Sequence, residues 1–416
     1  MRRLAFIFSM ILVSTAQAQI TVPNVRLPAL PQVPLTSNVA EDARTDLRRL
    51  QDVRRLAVRD LIRRNRPVIQ VDRNGAAIVR GEILAVSPEQ AAIDAALAIG
   101  FTVVRIRVLE GLDVQVVVLG VPQGMDTLRA LDKLRSLAPS TQFDLNHIYT
   151  SSGGKVRSGF VPAQAAVESV VGKLGLIDSG VDAGHPVFKD VLIHQHGCSA
   201  PVPEAHGTAV ASLMVGRSDD FHGSAPGAEL YAADVYCGMP TGGAADAVAE
   251  AFSWLAHEHV PVINVSLVGP PNVTLETVVR LVVARGHLVV AAVGNDGPAA
   301  PPLYPAAYPG VVGVTGVDVH RRVLFEAGRG PQVRFAAPGA DISAAKSARV
   351  FEVVRGTSFA APIVAGLLAA RLPTPDPTGA QRAVQELARE AVDLGAAGPD
   401  PIYGLGLVGV DYGKSK

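Results

Sequence analysis

Four short stretches of this 416-residue chain hold side chains that could do chemistry together. Asp178 lies in LGLIDSGVD, His206 in AHGTAVASLMVG, Asn295 in HLVVAAVGNDG and Ser358 in GTSFAAPIVAG. Each has an ordinary structural use. A serine ahead of a small-residue apolar run is an N-cap signature, and an aspartate after a strand is a turn or cap residue. A lone histidine at a helix start is usually structural or exposed, and Asn-Asp-Gly suits a turn with positive φ. Together, however, they supply a nucleophile, a base, an acid to fix the tautomer of that base and a donor for a developing oxyanion, which is the full set that acyl transfer needs.

For that chemistry the four must be brought to one place, and the flanking segments show how. KLGLID, ELYAADVY, PVINVSL, HLVVAAVG, GVVGVTGV and VRFAAP are near-continuous apolar runs, separated by helix candidates such as AADAVAEAFSWLAHEH and LETVVRLVVARG. Such strands joined by helical crossovers predict a parallel sheet covered on both faces, an α/β fold. Ligands of these sheets bind outside the carboxyl ends of the strands. All four residues fall at or just beyond strand ends or helix starts. The chain order Asp, His, Ser excludes an α/β-hydrolase, which runs Ser, Asp, His around a G-x-S-x-G elbow.

Pro362 adds a local constraint. Proline is tolerated only near a helix start, so the helix must begin close to Ser358.

Upstream, residues 80–149 read as strand, helix, strand, strand, helix, strand. Val104, Ile106 and Val108 alternate with period two, whereas Leu128, Leu131 and Leu134 recur at helical spacing. This order predicts a small ferredoxin-like α+β domain over residues 78–149. TSSGGKVRSG marks its boundary near residue 150. Residues 41–66 read as an arginine-rich amphipathic helix and 19–40 as a proline-punctuated linker. Together they could dock to a partner or an export component, although a solvated face is the commoner use of such a helix.

The first 18 residues fit an export signal: Arg2 and Arg3, an apolar run from Leu4, then Ala16-Gln17-Ala18. Cleavage after Ala18 would deliver the product to the periplasm or the outside, with no membrane-spanning stretch. The formal net charge is zero, which gives no reason to expect nucleic acid as a partner. Cys198 and Cys237 are the only cysteines, and in an oxidising compartment an even pair leans towards a disulfide. HQHGC, with His194, His196 and Cys198 at alternate positions, leaves a metal site as the other reading.

From about residue 170 onward the chain resembles the subtilisin-like serine peptidases, or subtilases. DSGVD, HGT, AAVGNDG and GTSFAAPIVAG match the aspartate, histidine, oxyanion-asparagine and serine motifs of that family, and YPAAYPGVVGVTGVD and FAAPG look like family segments. The resemblance implies a catalytic domain over 150–416, with Ser358 attacking a peptide carbonyl, His206 moving the proton and Asp178 holding the imidazolium. Asn295 and the Ser358 amide would bind the oxyanion. It also implies that residues 78–149 are a propeptide, which makes the chain a zymogen whose partners are a protein or peptide substrate and its own propeptide. A monomer is the working expectation. The alternative is a non-catalytic relative or a module blocked by its own propeptide.

The same resemblance implies that Ser266-Leu267-Val268 pairs with substrate. The pocket for the residue before the cut would then lie between that strand and Ala292-Val293-Gly294, with Leu303 as its floor. Relatives often carry glycine at the Leu303 and Val268 positions, so a shallow pocket and small substrate residues are expected. Maturation could occur at Tyr149, or at Thr150, Ser151 or Ser152, which a shallow pocket would favour. Ala209 stands where a second histidine is common, without touching the triad. The calcium loop of the family looks shortened here, so no metal cofactor is expected, although Asp219 and Asp220 could bind calcium.

Overall fold

The computed structural model describes residues 56–151, 154–158, 172–346 and 350–410. The export signal, the linker 19–40, residues 41–55 of the arginine-rich helix, and Ser152 and Gly153 lie outside the described residues. Residues 56–64 are helical, and Val58, Leu61 and Ile62 of that turn pack against Ile69, Ala77 and Val79.

The N-terminal domain is an antiparallel sheet backed by two helices. Its strands stand in the order Ile69–Val71, Ala77–Val86, Val114–Gly120, Thr102–Leu109, with Phe143–His147 also paired to Ala77–Val86. Helices Gln90–Ala98 and Thr127–Leu137 cover one face over Ile83, Leu119 and Phe143. Ile69–Val71 extends the sheet ahead of residue 78, where the sequence pattern begins. Three residues are too few to show a period, and the pairing is set by a turn in which Asp72 accepts from the amides of Asn74 and Ala76.

The larger sheet is parallel and seven-stranded. Its spatial order is Val333–Pro338, Val312–Val317, Leu288–Ala292, Val262–Val265, Lys173–Asp178, Glu229–Asp234, Ile193–His196. Six of these strands follow from their apolar runs. The seventh, Ile193–His196, is polar and half-exposed because it closes one edge, and it explains the alternation of His194 and His196. Leu174 and Leu176 face a core shared with helices Ala205–Val215 and Thr357–Ala369. Ile177 and Ile263 face the opposite core, built with helices Ala245–His257 and Val273–Ala284.

Those last two helices also form the seat of the N-terminal domain. Leu84, Leu109, Val116 and Val118 from its open face join the same core as Val248, Phe252 and Val278. Polar groups lock the seam. Asp144 accepts from the Val273 amide at 2.7 Å, which places a carboxylate at the start of helix Val273–Ala284, where the exposed N–H groups favour negative charge. Asn272 caps that helix with its side-chain oxygen, and its Nδ2 donates to the Leu145 carbonyl. Asp246, fully buried at the start of the other helix, accepts from Nε of Arg105 at 2.8 Å, Nε of Arg107 at 2.6 Å and Nδ2 of Asn146 at 2.8 Å.

Burial alone would raise the Asp246 carboxyl, but the hydrogen bonds and charges of the two arginines overcome it and hold it below the usual carboxylate range. A carboxyl depressed in the folded state contributes stability above its unfolded value of about 3.9, and that contribution is lost as pH falls through the lower folded value. Asp246→Asn is therefore expected to destabilise the joined domains by roughly 1–3 kcal/mol at neutral pH. Denaturant unfolding at pH 7 and again near pH 3 checks this, since the difference between variant and wild type should shrink on acidification.

Candidate active site

Asp178 ends the inner strand Lys173–Asp178 of the large sheet and is fully buried. Its Oδ1 accepts from the Ser179 amide at 2.7 Å and from Nδ1 of His206 at 2.8 Å, with Oδ2 3.1 Å from the same nitrogen. A carboxylate on Nδ1 selects the tautomer with its proton there, leaving Nε2 as an acceptor. Among the described residues, Nε2 is buried without a hydrogen-bond partner. His206 sits in the first turn of helix Ala205–Val215, which the Ser179 hydroxyl anchors by accepting from the Gly207 amide at 3.0 Å. A side chain at Gly207 would run into the Ser179 carbonyl, so the glycine of HGT lets the histidine helix approach the aspartate strand.

Two further carboxylates lie near this pair. Burial raises both Asp234 and Glu204, and each is raised further by the charge of Asp178; backbone amides of Cys237 and Tyr236 counteract the effect at Asp234.

The His206 ring packs against Phe359, the residue after Ser358, with centroids 5.4 Å apart. Ser358 is buried in the first turn of helix Thr357–Ala369. In a regular helix the amide of residue 362 would bond the Ser358 carbonyl, but Pro362 has none. The Ser266 hydroxyl takes that place, donating to the Ser358 carbonyl at 2.9 Å, and is itself held by Nδ2 of Asn264 at 2.9 Å.

Asn295 follows strand Leu288–Ala292. Its Oδ1 accepts from the Thr357 amide at 3.2 Å, which turns the Nδ2 donor to the other side of the carboxamide. The Thr357 hydroxyl accepts from the Gly294 amide at 3.2 Å. The structure thus brings Asp178, His206, Asn295 and Ser358 together at the carboxyl ends of the strands. Ser179, Asn264 and Thr357, which support them, carried no sequence signal beyond adjacency to a motif.

Leu267–Val268 pairs antiparallel with Thr150–Ser151, so the chain leaving the N-terminal domain lies along this strand. Tyr149 is fully buried, its ring against Gly269 and its hydroxyl donating to the Pro270 carbonyl at 2.8 Å. Its backbone is gripped from the other side, where its amide donates to Gly243 and its carbonyl accepts from the Tyr236 hydroxyl. Ala292 and Val293 are buried, and Gly294 has φ +93°. The Leu303 side chain fills the space beside Gly294, with its Cδ1 2.5 Å from where a Cβ would stand.

Cys198 and Cys237 are joined as a disulfide with Cα atoms 5.5 Å apart, linking the turns that follow strands Ile193–His196 and Glu229–Asp234. Their sulfurs are therefore not thiolate ligands. His194 faces Glu229 and stacks on Tyr231, while His196 bonds Glu250 at 2.7 Å and stacks on Trp254. Asp219 and Asp220 form the exposed turn between Arg217–Ser218 and Phe221–His222.

The family model described as Subtilase family matches residues 172–406, more than half of the chain. Subtilisin BL of Lederbergia lenta is 32% identical over 251 residues, covering 58% of this chain and 89% of that protein. The minor extracellular protease Epr of Bacillus subtilis (strain 168) is 31% identical over 251 residues, covering 57% of this chain but only 37% of that relative. Among solved structures, fervidolysin from Fervidobacterium pennivorans aligns with a TM-score of 0.66 at 20% identity, over 82% of this chain and 61% of its own. That coverage exceeds what residues 172–416 could supply, so the likeness in fold extends into the N-terminal domain. The protease domain of PatA aligns with a TM-score of 0.52 at 28% identity, over 59% of this chain and 95% of its own. With its motifs on the strand ends of a seven-stranded parallel sheet, the chain belongs to the subtilase family and has the fold of the subtilisin-like serine peptidases.

Proposed function

We propose that this protein is an exported serine endopeptidase, made as a zymogen, that hydrolyses peptide bonds through an acyl-enzyme. The observation that carries this reading is the bond from His206 Nδ1 to the buried Asp178, which leaves Nε2 unprotonated and able to act as a base. His206 takes the Ser358 proton as the oxygen adds to the carbonyl, and the buried carboxylate stabilises the imidazolium that forms. His206 then returns the proton to the leaving amine, and water repeats the sequence to release the acyl group. Asn295 Nδ2 and the Ser358 amide stabilise the oxyanion. No step in this chemistry calls for a metal.

Three features support the zymogen reading. The N-terminal domain is seated on two helices of the larger one, its outgoing chain pairs with Leu267–Val268, and Tyr149 is buried beside that strand. The register also favours a cut beyond Tyr149. Thr150 stands opposite Val268 and Ser151 opposite Leu267, and the buried Tyr149 ahead of them acts as an anchor, so the cut falls at Thr150, Ser151 or Ser152. A small serine also suits a pocket filled by Leu303. Export follows from the N-terminal signal, and the disulfide fits an oxidising compartment.

The intact mass of signal-free wild type should show cleavage shortly after Tyr149, at Thr150, Ser151 or Ser152, while Ser358→Ala stays full length. If both stay full length and a fluorophosphonate probe fails to label Ser358, the non-catalytic alternative holds. Asn295→Ala should lower kcat by about 10²–10³ with little change in KM, the loss seen when such a donor is removed from a relative. Leu303→Gly should open the pocket and raise kcat/KM on peptides with Phe before the cut by roughly tenfold or more, since each methylene accommodated contributes about 1–3 kcal/mol; profiling that finds Phe already preferred by the wild type would refute the shallow pocket.

A further inference from the structure

We infer that Glu326 is a positioning residue that holds the Ser358 turn and the Asn295 loop in one frame, an inference that rests on the catalytic reading above. The two segments follow different strands, and two direct bonds between them, Thr357 N–H to Asn295 Oδ1 and Gly294 N–H to Thr357 Oγ1, are each 3.2 Å long. That is the long end of the usual N–H···O range. The segment Glu326–Gly328 reinforces them from outside. The Glu326 carbonyl accepts from the Gly297 amide at 2.8 Å and the Gly328 amide donates to the Gly294 carbonyl at 2.9 Å, so the loop is gripped on both sides of Asn295.

The same residue reaches the nucleophile. The Glu326 carboxylate accepts from Nε of Arg355 at 2.7 Å and from its Nη2 at 3.0 Å, a forked pair with the glutamate side chain 6% exposed. Arg355 ends strand Val350–Arg355, immediately before Gly356, Thr357 and Ser358, and its guanidinium lies over the Phe325 ring at 5.1 Å. Strand Val350–Arg355 thus delivers the serine, while the backbone and side chain of a single glutamate tie it to the asparagine. A two-bond fork fixes direction as well as distance, which an ammonium could not do. Neither residue touches the reacting atoms. Their contribution is the separation of Ser358 from Asn295 Nδ2, where a displacement of about 1 Å can cost on the order of 10² in rate.

The test is steady-state hydrolysis of a peptide substrate by purified wild type, Glu326→Gln, Arg355→Lys, the double variant Glu326→Gln/Arg355→Gln and Asn295→Ala, with thermal unfolding midpoints for each. Expected are a kcat about tenfold lower in Glu326→Gln with KM within about twofold, and a smaller loss in Arg355→Lys, which keeps the charge but not the fork. In the double variant no charge is left unpaired, so the unfolding midpoint should recover while kcat stays low. A kcat that recovers with the midpoint, or that never falls, would show the pair to be merely structural. Should Glu326→Gln fail to fold, Arg355→Lys and the double variant decide alone. An Asn295→Ala protein as active as wild type would sink the catalytic reading itself, whereas an impaired Asn295→Ala beside an unimpaired Glu326→Gln overturns this inference only.

Discussion

Burial of the helix Thr357–Ala369 constrains everything around it. A helix with apolar residues on every side is stable only inside a protein, and here every residue but Leu367 is buried, against strands of the large sheet and the neighbouring helix Ala205–Val215. Its N-terminus can leave the core in one place, at the carboxyl edge of the sheet, and that exit carries Ser358. The same packing brings His206, on the adjoining helix, against Phe359. Pro362 leaves the Ser358 carbonyl without its helical partner, and Ser266 from a neighbouring segment supplies one, so the first turn is tied to the strand that meets the incoming chain.

Electrostatics at this edge follow from the parallel register. Asp178 and Asp234 are direct partners on adjacent strands, which concentrates negative charge where backbone amides and one imidazole are available to meet it. A buried carboxylate is tolerated only when its oxygens are bonded, and Asp178 meets that condition by taking the Ser179 amide and the His206 ring. The seam with the N-terminal domain obeys the same rule. Asp246 is buried because two arginines and an asparagine of the other domain complete its bonds, and Asp144 is accommodated at a helix start. Charged groups thus fix the orientation of two domains whose apolar faces alone would allow sliding.

The candidate catalytic residues were legible early because acyl transfer restricts their types, and because each sits in a run of small residues that close packing demands. Asp178, His206, Asn295 and Ser358 could be marked with no knowledge of their distances. Six strands of the large sheet were equally clear, since strands buried on both faces have little choice but apolar residues. Ile193–His196 escaped because an edge strand can be polar, and its two histidines alternate because they are neighbours on one pleated face. Ile69–Val71 escaped because three residues show no period.

By itself the sequence determined residue types: a parallel α/β core, an antiparallel domain ahead of it, and candidates for nucleophile, base, orienting acid and oxyanion donor in a given order. Only the tertiary structure decided relations between segments distant in the chain. It set which tautomer His206 takes, that Ser266 serves the Ser358 carbonyl, that Tyr149 is buried beside Gly269, and that Glu326 faces Arg355. The physical reason is that local pattern reports burial and backbone conformation, which depend on near neighbours, whereas a hydrogen bond between two side chains depends on where the whole fold places both ends.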